Sequence, residues 1–376
     1  MKVNNISEPE KITPKSFEDL IIEVHEKGIC GECGGCVSFC SANQIGAIKM
    51  NRDGPPSYEN KDNCLHCGIC YLICPQTHVL DNDLKKKFNY KPPIGNWIDV
   101  RSAQSSSPDI VKNATDGGVV TGILLYLLKN NLIDGALISR KITHLTRESF
   151  FATTEEEILQ GIGTKFELST PTIELGKYST FTSIIPGLKR IIDADVLNIA
   201  IVGVPCQIHT VRKMQEIGIL PAHVIKYVLG LFCFENFNFL NNFNVLEEKY
   251  NFSINDIEKM NIKDDFIIYL KDNRKLHIDF NEMKQFMRHA CRVCDDFSNI
   301  YADLSFGGVG SSEKHTTILI RNEIGRKIYN EALKQGFIQE DFNYNDSVSK
   351  SKMLGKIIGF ANRKMKRSES EKLKLI

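Results

Sequence analysis

The sequence predicts a mixed α/β (α+β) domain preceded by a small cysteine-rich domain. Eight of the 12 cysteines fall between residues 30 and 74, in two copies of the spacing C-x2-C-x2-C-x3-C. Segments with strand and helix character then alternate from residue 97 to about 340. With 376 residues, the chain is long enough for two or three domains, because a domain averages roughly 150 residues.

The spacing of the eight cysteines is typical of bacterial ferredoxins that hold two [4Fe–4S] clusters, in which the fourth cysteine of each run binds the other cluster. Three cysteines at steps of three residues wrap a tight loop around one cubane, and the fourth points away to the second. We therefore predict two sets of ligands. The first cysteine set is Cys30, Cys33, Cys36 and Cys74, and the second cysteine set is Cys40, Cys64, Cys67 and Cys70.

Two other uses of these cysteines are less compatible with the spacing. A structural zinc site needs four thiolates and not eight in this arrangement, and a disulfide framework is typical of exported proteins. Ser41 stands where the first run would usually have a proline, whereas Pro75 keeps that position in the second run.

The bulk composition is that of an ordinary globular protein. The chain is 42% apolar and 25% charged, and its net charge of +1 gives no reason to expect binding to nucleic acid. The longest apolar run, 123–128, is far shorter than the roughly 18 residues of a membrane span. Because the start also lacks the apolar core of a signal peptide, the many cysteines predict a reducing, cytoplasmic location.

Five segments are predicted along the chain. Residues 1–25 contain a helix that begins at the capping-box-like sequence Ser16-Phe-Glu-Asp19, and 26–80 form the ferredoxin domain. Residues 81–96 are a linker, 97–348 the large domain, and 349–376 a basic tail that is solvated or used for docking. The predicted strands are 133–139, 197–204, 224–234, 266–270, 275–280, 301–306 and 316–321. The predicted helices are 118–130, 155–159, 207–217, 239–250, 281–289 and 323–336.

The four remaining cysteines form the third cysteine set, which is Cys206, Cys233, Cys291 and Cys294. Two of them lie at the ends of predicted strands, and the other two form a CxxC. These residues alone are compatible with a third [4Fe–4S] cluster, with a zinc site, or with a redox dithiol accompanied by two buried thiols. Two complete cluster motifs in the same chain favour the first possibility.

Three glycine-rich segments are candidates for cofactor binding. Residues 116–121 open an apolar helix, and the free N–H groups of a helix N-terminus attract phosphate. Residues 161–166 and 307–312 are flexible polar loops. Each segment could approach a nucleotide or merely turn the chain.

Taken together, these segments resemble the family of beta subunits of coenzyme F420-reducing hydrogenase. The similarity lies in residues 116–121, 163–166, 203–207, 230–233, 290–297 and 302–311, which occur in the family's order. The resemblance implies a flavin-binding α/β domain with FAD, one [4Fe–4S] cluster on the third cysteine set, and a cleft where the 8-hydroxy-5-deazaflavin meets the flavin. The implied cofactor-binding residues are Asp116, Gly117, Gly118, Val119, Val120, Thr121, Gly163, Thr164, Lys165, Gly203, Pro205, Gln207, Gly307 and Gly308.

The layout of the whole chain is more similar to the input subunit of membrane-bound reduced-deazaflavin dehydrogenases, and to the front half of the deazaflavin-dependent sulfite reductase. The hydrogenase beta subunit itself lacks an N-terminal ferredoxin unit. Lys165 is the expected cation at the flavin or a phosphate. Because the deazaflavin tail is anionic, Arg140, Lys141, Arg288 and Arg292 are candidates to contact it.

The resemblance implies an F420-dependent oxidoreductase of methanogenic or related archaea. Coenzyme F420 exchanges a hydride with FAD, and single electrons pass through three [4Fe–4S] clusters to or from a redox partner protein in a larger complex. The chain is not expected to span a membrane, and the resemblance leaves open whether it associates with a membrane complex. Hydride transfer needs no acid or base, so no catalytic residue is predicted. Two alternatives remain: a ferredoxin-fed iron–sulfur flavoprotein reductase resembling the tetrapyrrole-reducing branch, and a pure electron-transfer adaptor.

Overall fold

The computed structural model describes residues 14–51, 54–141, 147–163, 196–237, 243–262 and 265–375, and the fold is given for those residues. The α-helices are α1 Phe17–Leu20, α2 Gly35–Ala42, α3 Ile69–Leu72, α4 Asp81–Lys87, α5 Pro108–Asn113, α6 Val119–Lys129, α7 Glu155–Gln160, α8 Pro205–Glu216, α9 Asn244–Tyr250, α10 Phe280–Met283, α11 His289–Arg292, α12 Glu323–Lys334 and α13 Ser347–Lys372. The strands are β1 Ile48–Lys49, β2 Ser57–Tyr58, β3 Asp99–Ser105, β4 Gly135–Lys141, β5 Arg147–Ala152, β6 Ile199–Gly203, β7 Ile225–Leu231, β8 Ile257–Ile262, β9 Phe266–Leu270, β10 Lys275–Ile278, β11 Leu304–Gly307, β12 Thr316–Ile320 and β13 Ile338–Glu340.

An eight-stranded mixed sheet is the centre of the large domain, with the strand order β13-β3-β12-β11-β7-β6-β4-β5. The strands β11, β7, β6 and β4 run parallel to one another, and the strands on both sides of them pair antiparallel. This arrangement confirms the predicted mixed α/β class.

The two faces of the sheet are covered by different helices. Ala200 and Leu229 belong to the core that contains α6 and α12, whereas their sequence neighbours Ile201 and Val228 belong to the core that contains α8. Successive residues of a strand point to opposite faces, so the sheet lies between two layers. The parallel strands are therefore buried on both sides, as expected for strands rich in Ile, Val and Leu.

A second sheet of three antiparallel strands, β8, β9 and β10, has a core of its own. The strands predicted at 266–270 and 275–280 are found as β9 and β10, which pair antiparallel as a hairpin. The strand β8, which completes this sheet, was not predicted.

The cysteine-rich segment folds around short elements. The predicted capping box at α1 is confirmed, because the Ser16 hydroxyl accepts a hydrogen bond from the backbone and the Asp19 carboxylate accepts one from the Ser16 N–H at 2.6 Å. Phe17, Leu20 and Val24 are buried in the core of this segment. Other residues of the segment, such as Ile73, join the core on the α8 side of the large sheet, so the segment packs against that face.

Residues 81–96 were predicted as a linker, but they are packed against the folded domain. Leu84 of α4 is fully buried, and so is Ile94. The guanidinium of Arg321 donates hydrogen bonds to the carbonyl oxygens of Ile94 and Asn96 at 2.8 and 2.9 Å. The polar residues of the segment lie on its exposed side. The segment is not a free linker between domains.

The predicted basic tail is also part of the folded domain. It forms the 26-residue helix α13, which buries Met353, Ile357 and Phe360 against the large domain. Among the described residues, no helix combines the length and the apolar character needed to cross a bilayer.

Candidate functional site

A cavity of about 310 Å³, named here the first cavity, lies at the carboxyl ends of the parallel strands. Its strand residues are Ile138, Ser139, Val202, Gly203, Leu231, Phe306 and Gly307. In open α/β sheets, ligands bind in the crevice outside the carboxyl ends of the strands. The position and the partly apolar lining are those of a small-molecule site.

Two helices begin at the first cavity. The left-handed backbone of Gly118, with φ 70°, turns the chain into α6, and Val204 leads directly from β6 into α8. The first turn of a helix has N–H groups without partners inside the helix and a partial positive charge. This end of the cavity is therefore suited to carbonyl or anionic groups of a ligand.

The structure distributes the predicted cofactor-binding residues unevenly around the first cavity. Asp116, Gly118, Val119, Val120, Thr121, Gly163, Gly203, Gln207 and Gly307 line it. Gly117 is turned away, since its N–H donates to the Thr316 hydroxyl at 3.0 Å. Pro205 and Gly308 are adjacent to the lining, and Thr164 and Lys165 lie outside the described residues.

Two of the predicted glycines are required by close packing within the protein. A Cβ atom on Gly308 would lie 2.5 Å from Oδ1 of Asp116, and one on Gly307 would lie 2.3 Å from the ring of Phe232. Larger residues would push these neighbours aside. The motif that suggested a nucleotide loop at this point therefore has a structural explanation.

The third cysteine set is assembled from three parts of the chain. Cys206 is in the first turn of α8, Cys233 follows β7, and Cys291 and Cys294 lie at α11 and just after it. Burial raises the pKa of the Cys206 thiol well above its ordinary value, and the charges of Cys33 and of the other three members act in the same direction. The four thiols are thus electrostatic neighbours in a buried place.

Asn236 connects the third cysteine set with the first cavity. Its side-chain amide donates to Sγ of Cys233 at 3.2 Å, and its backbone N–H donates to Sγ of Cys291 at 3.4 Å. Asn236 also lines the first cavity. Asn236 was not predicted as a site residue, and its only signal in the sequence is its position three residues after a candidate ligand.

One face of α13 holds the backbone around the third cysteine set. The Lys364 ammonium donates to the carbonyl oxygens of Cys233 and Asp296 at 2.6 and 2.8 Å. Arg367 donates to the carbonyl oxygen of Cys291 at 3.1 Å, and the Ser368 hydroxyl donates to that of Val293 at 2.6 Å. The sequence analysis missed these residues because they lie in a segment that looked solvated.

The first cysteine set surrounds a common pocket at the boundary with the large domain. All four of its members line this pocket, together with Cys206 and Thr210 of α8. Sγ of Cys33 lies 3.3 Å from the Thr210 hydroxyl. A Cβ atom on Gly31 would lie 3.9 Å from Sγ of Cys206, so the first and third sets are close neighbours.

The second cysteine set reaches the surface through one member, while Cys40 and Cys70 are buried. Burial raises the pKa of Cys70 to about 12, and the charges of Cys67, Cys64 and Cys40 contribute to the increase. The Ala47 N–H donates to Sγ of Cys40 at 3.3 Å. Cys67 is exposed to solvent.

The arrangement of the first cysteine set is suited to a cluster. Within the part of the chain that the structure describes, no three Cys, His, Asp or Glu side chains converge closely enough for one metal ion. A [4Fe–4S] cubane instead takes one thiolate at each of four iron corners, so its ligands surround a volume. The four members of the first set, which line one pocket, fit that requirement.

A buried cation lies between the cysteine-rich segment and α8. The ammonium of Lys213, which is 0% exposed, donates to the carbonyl oxygen of Cys74 at 2.9 Å and pairs with Asp81 at 3.0 Å. Burial alone would raise the pKa of Asp81, but hydrogen bonds from His209 and His78 outweigh it and hold that pKa below its ordinary value. This network fixes α4 against α8.

Two of the four residues proposed for the deazaflavin tail, Arg140 and Arg288, form ion pairs with other side chains. Arg140 pairs with Glu148, and Arg288 pairs with Glu32 at 2.7 Å. Arg140 and Arg288 do not line the first cavity.

Two family models match the large domain, the "Coenzyme F420 hydrogenase/dehydrogenase, beta subunit N-term" over residues 100–176 and its "C terminus" counterpart over residues 196–342. Together they span more than half of the 376 residues. The chain belongs to the family of coenzyme F420 hydrogenase/dehydrogenase beta subunits. The family resemblance drawn from the short sequence segments is thereby confirmed.

Two members of this family with named functions show different extents of similarity. The coenzyme F420 hydrogenase subunit beta of Methanosarcina barkeri is 30% identical over 253 residues, which cover 66% of this chain and 83% of that subunit. A subunit of the F(420)H(2) dehydrogenase of Methanosarcina mazei is 26% identical over 332 residues, which cover 85% of this chain and 87% of the relative. Residues 97–376 make up only about three quarters of the chain, so the second match extends into the N-terminal segments.

A solved family structure has the same fold. A chain of the F420-reducing [NiFe] hydrogenase complex from Methanosarcina barkeri superposes with a TM-score of 0.62 at 25% sequence identity, covering 74% of this chain and 92% of that chain.

Proposed function

We propose that this chain is an oxidoreductase subunit that exchanges electrons between coenzyme F420 and a partner protein, through FAD and three [4Fe–4S] clusters. Membership in the family supports the coenzyme, since the named relatives are an F420 hydrogenase subunit and an F(420)H(2) dehydrogenase subunit. The solved relative is part of a multi-subunit complex, which supports a protein partner. The cysteine geometry supports the clusters.

One observation carries the proposal: the first cavity and the third cysteine set share the same short segments. Val204 and Gln207 line the cavity, and Cys206 lies between them in sequence. Leu231 lines the cavity two residues before Cys233. A redox group in the cavity would therefore lie beside the thiols without an intervening layer of protein.

The residues of the first cavity are those proposed to hold the flavin. Gly118 to Thr121 and the start of α8 offer backbone N–H groups, while Ile138, Leu231 and Phe306 offer an apolar surface for a ring. FAD, when bound, supplies the conversion between two-electron hydride exchange and one-electron transfer. The chain itself orients the ring and excludes water from it.

The positions of the three cysteine sets support a path from the buried cavity to the surface. The third set adjoins the cavity, and Cys206 is close to Gly31 in the loop of the first set. Cys36 of the first set and Cys70 of the second are close enough for the charge of one to raise the pKa of the other. The exposed Cys67 then places the second set where a partner protein could reach it.

The test is anaerobic stopped-flow mixing of the protein, containing about twelve irons and FAD, with reduced coenzyme F420. Bleaching of the flavin band together with return of the oxidised deazaflavin band is the expected result. If dithionite reduces the flavin but reduced F420 does not, the proposal fails. A ferredoxin-fed reductase of another substrate would then be the better description.

A further inference from the structure

A second and larger cavity, of about 480 Å³, adjoins the first. Ala114, Thr115 and Asp116 line both of them, so the two cavities meet along this short loop before α6. The second cavity extends from there to the small sheet of β8, β9 and β10. A ligand with a ring in the first cavity could thus continue into the second.

The lining of the second cavity is polar and carries a net positive charge. Its amide and hydroxyl side chains include Gln104, Ser105, Ser106, Asn261 and Gln339. Four lysines line it, namely Lys112, Lys259, Lys275 and Lys314, against the two carboxylates of Asp116 and Glu313. Such a surface suits a flexible chain with several negative charges and not a flat apolar ring.

Three side chains of the small sheet form a row across the cavity wall. Lys259 of β8 is opposite Tyr269 of β9, which in turn is opposite Lys275 of β10. Residues directly opposite in neighbouring strands share one face of the sheet, and here the two ammonium groups lie 4.6 and 5.4 Å from the Tyr269 ring centroid. Lys275 also lies 3.8 Å from Glu313.

We propose that the second cavity binds the anionic tail of a coenzyme whose ring lies in the first cavity or against the flavin there. The row formed by Lys259, Tyr269 and Lys275 is the recognition element, because two cations on either side of one ring hold successive negative groups of an extended chain. This inference rests on the proposed function. The tail would come from coenzyme F420, or the same chemistry would be met by the diphosphate of FAD.

The small sheet of β8, β9 and β10 contributes residues to the second cavity. The strands β8 to β10 have a separate core, and none of them belongs to the large sheet. They contribute Lys259, Asn261, Tyr269 and Lys275 to the lining of the second cavity. The arginines named from the sequence do not line this cavity either, so the charge that the tail requires comes from lysines of an element that was only partly predicted.

The experiment compares the wild-type protein with the double variant Lys259→Gln/Lys275→Gln. The single variant Lys271→Gln is the matched control, since it removes a charge from the turn between β9 and β10, outside the cavity. Binding is measured by fluorescence titration of two oxidised probes: coenzyme F420, and the same deazaflavin riboside without phosphate or glutamate. The FAD content of each purified protein is determined as well.

We expect the ratio of the two Kd values, coenzyme over tailless probe, to rise about tenfold in the double variant and to stay at the wild-type value in the control. Loss of FAD with an unchanged ratio would support the same site with the FAD diphosphate as its ligand. An unchanged ratio together with full FAD content overturns the proposal. Because binding is read without electron transfer, failure of the proposed function would appear separately, as binding without flavin reduction.

Discussion

The ammonium group of Lys364 donates a hydrogen bond of 2.6 Å to the backbone carbonyl oxygen of Cys233, from a position only 1% exposed to solvent. Burial opposes the charged form, yet the charges of Cys294, Cys233 and Cys291 outweigh burial and raise the pKa of Lys364. The lysine therefore remains a cation beside the third cysteine set. Nearby charge is one of the factors that set the potential of an iron–sulfur cluster.

Replacing Lys364 with methionine keeps most of the side-chain volume and removes the charge. A positive charge stabilises the more negative, reduced form of a cluster. We therefore expect Lys364→Met to make the reduction potential of the third cluster more negative, as measured by redox titration with EPR detection. Lys366→Met, at an exposed position of the same helix, is the control. An unchanged potential at full iron content would contradict the role of Lys364.

Filling the first cavity should displace the flavin. Thr121 faces this cavity from the first turn of α6, so Thr121→Trp places a large indole in the space. We expect most of the FAD to be lost on purification while the iron content stays at the wild-type level, as measured by absorbance and iron analysis. Lys129→Trp, at the exposed other end of α6, should keep both. Full FAD content in Thr121→Trp would place the flavin elsewhere.

The buried guanidinium of Arg321 joins the segment before β3 to the domain. It donates to the carbonyl oxygens of Ile94, Asn96 and Ser298 at 2.8, 2.9 and 2.6 Å. Arg321→Met removes these hydrogen bonds from buried oxygens, of which that of Ile94 still accepts from the Ser298 hydroxyl at 3.0 Å. The loss should cost about 3–5 kcal/mol of unfolding free energy. Urea unfolding followed by circular dichroism checks this value. Arg326→Met, on the exposed side of α12, should change it little, and equal midpoints for the two variants would contradict the prediction.

The N-terminus of α13 should make a pH-dependent contribution to stability. Hydrogen bonds from the side chain and backbone of Ser349 lower the pKa of the Asp346 carboxyl. A carboxyl with a lowered pKa in the folded state stabilises the protein above its unfolded pKa of about 3.9, and this stabilisation is lost as the pH falls through the folded pKa. We expect Asp346→Ala to melt about 2 °C below the wild type at pH 7, with a smaller difference below about pH 4.

Asp346→Asn is the matched control, since asparagine is also a good N-cap but does not titrate. This variant should differ little from the wild type at pH 7. A melting difference between Asp346→Ala and the wild type that is constant from pH 7 to pH 3 would show that the charge of Asp346 makes no contribution.

The parts of the molecule that local spacing determines could be predicted from the sequence. The parallel strands were visible as short apolar runs, because they are buried on both faces. The grouping of the first eight cysteines is a prediction from the fixed spacing of the motif. The members of the first set line a common pocket, together with Cys70 and Cys206. Helix ends such as the N-terminus of α6 at Gly118 could be predicted, because glycine readily adopts the left-handed backbone found there.

Features that depend on distant pairing could not be predicted. The strand β3 pairs with β12 and β13, more than 200 residues later in the chain, and its sequence Asp99–Ser105 has no clear alternation of apolar and polar residues. The row of Lys259, Tyr269 and Lys275 depends on the register of three strands. A sequence gives no sign of which residues will be opposite each other when one of the strands is not recognised.

Buried cations were the other feature that sequence could not reveal. Lys213 and Lys364 are both almost completely buried, although lysine is rarely found inside a protein without partners. Their partners include backbone carbonyl oxygens at or near cysteines, and every residue offers such an oxygen. Lysines in a basic segment therefore look solvated until the fold is known.

The contacts made by α13 have a consequence for how the molecule matures. A ribosome synthesises residues 30–74 first, so the first and second cysteine sets become available while most of the chain is still unmade. The third set requires Cys294, and the backbone around it is held by Lys364, Arg367 and Ser368, which are made after all 12 cysteines. For the proposed clusters, insertion of iron and sulfide would then follow the direction of translation, and the third set would be completed last.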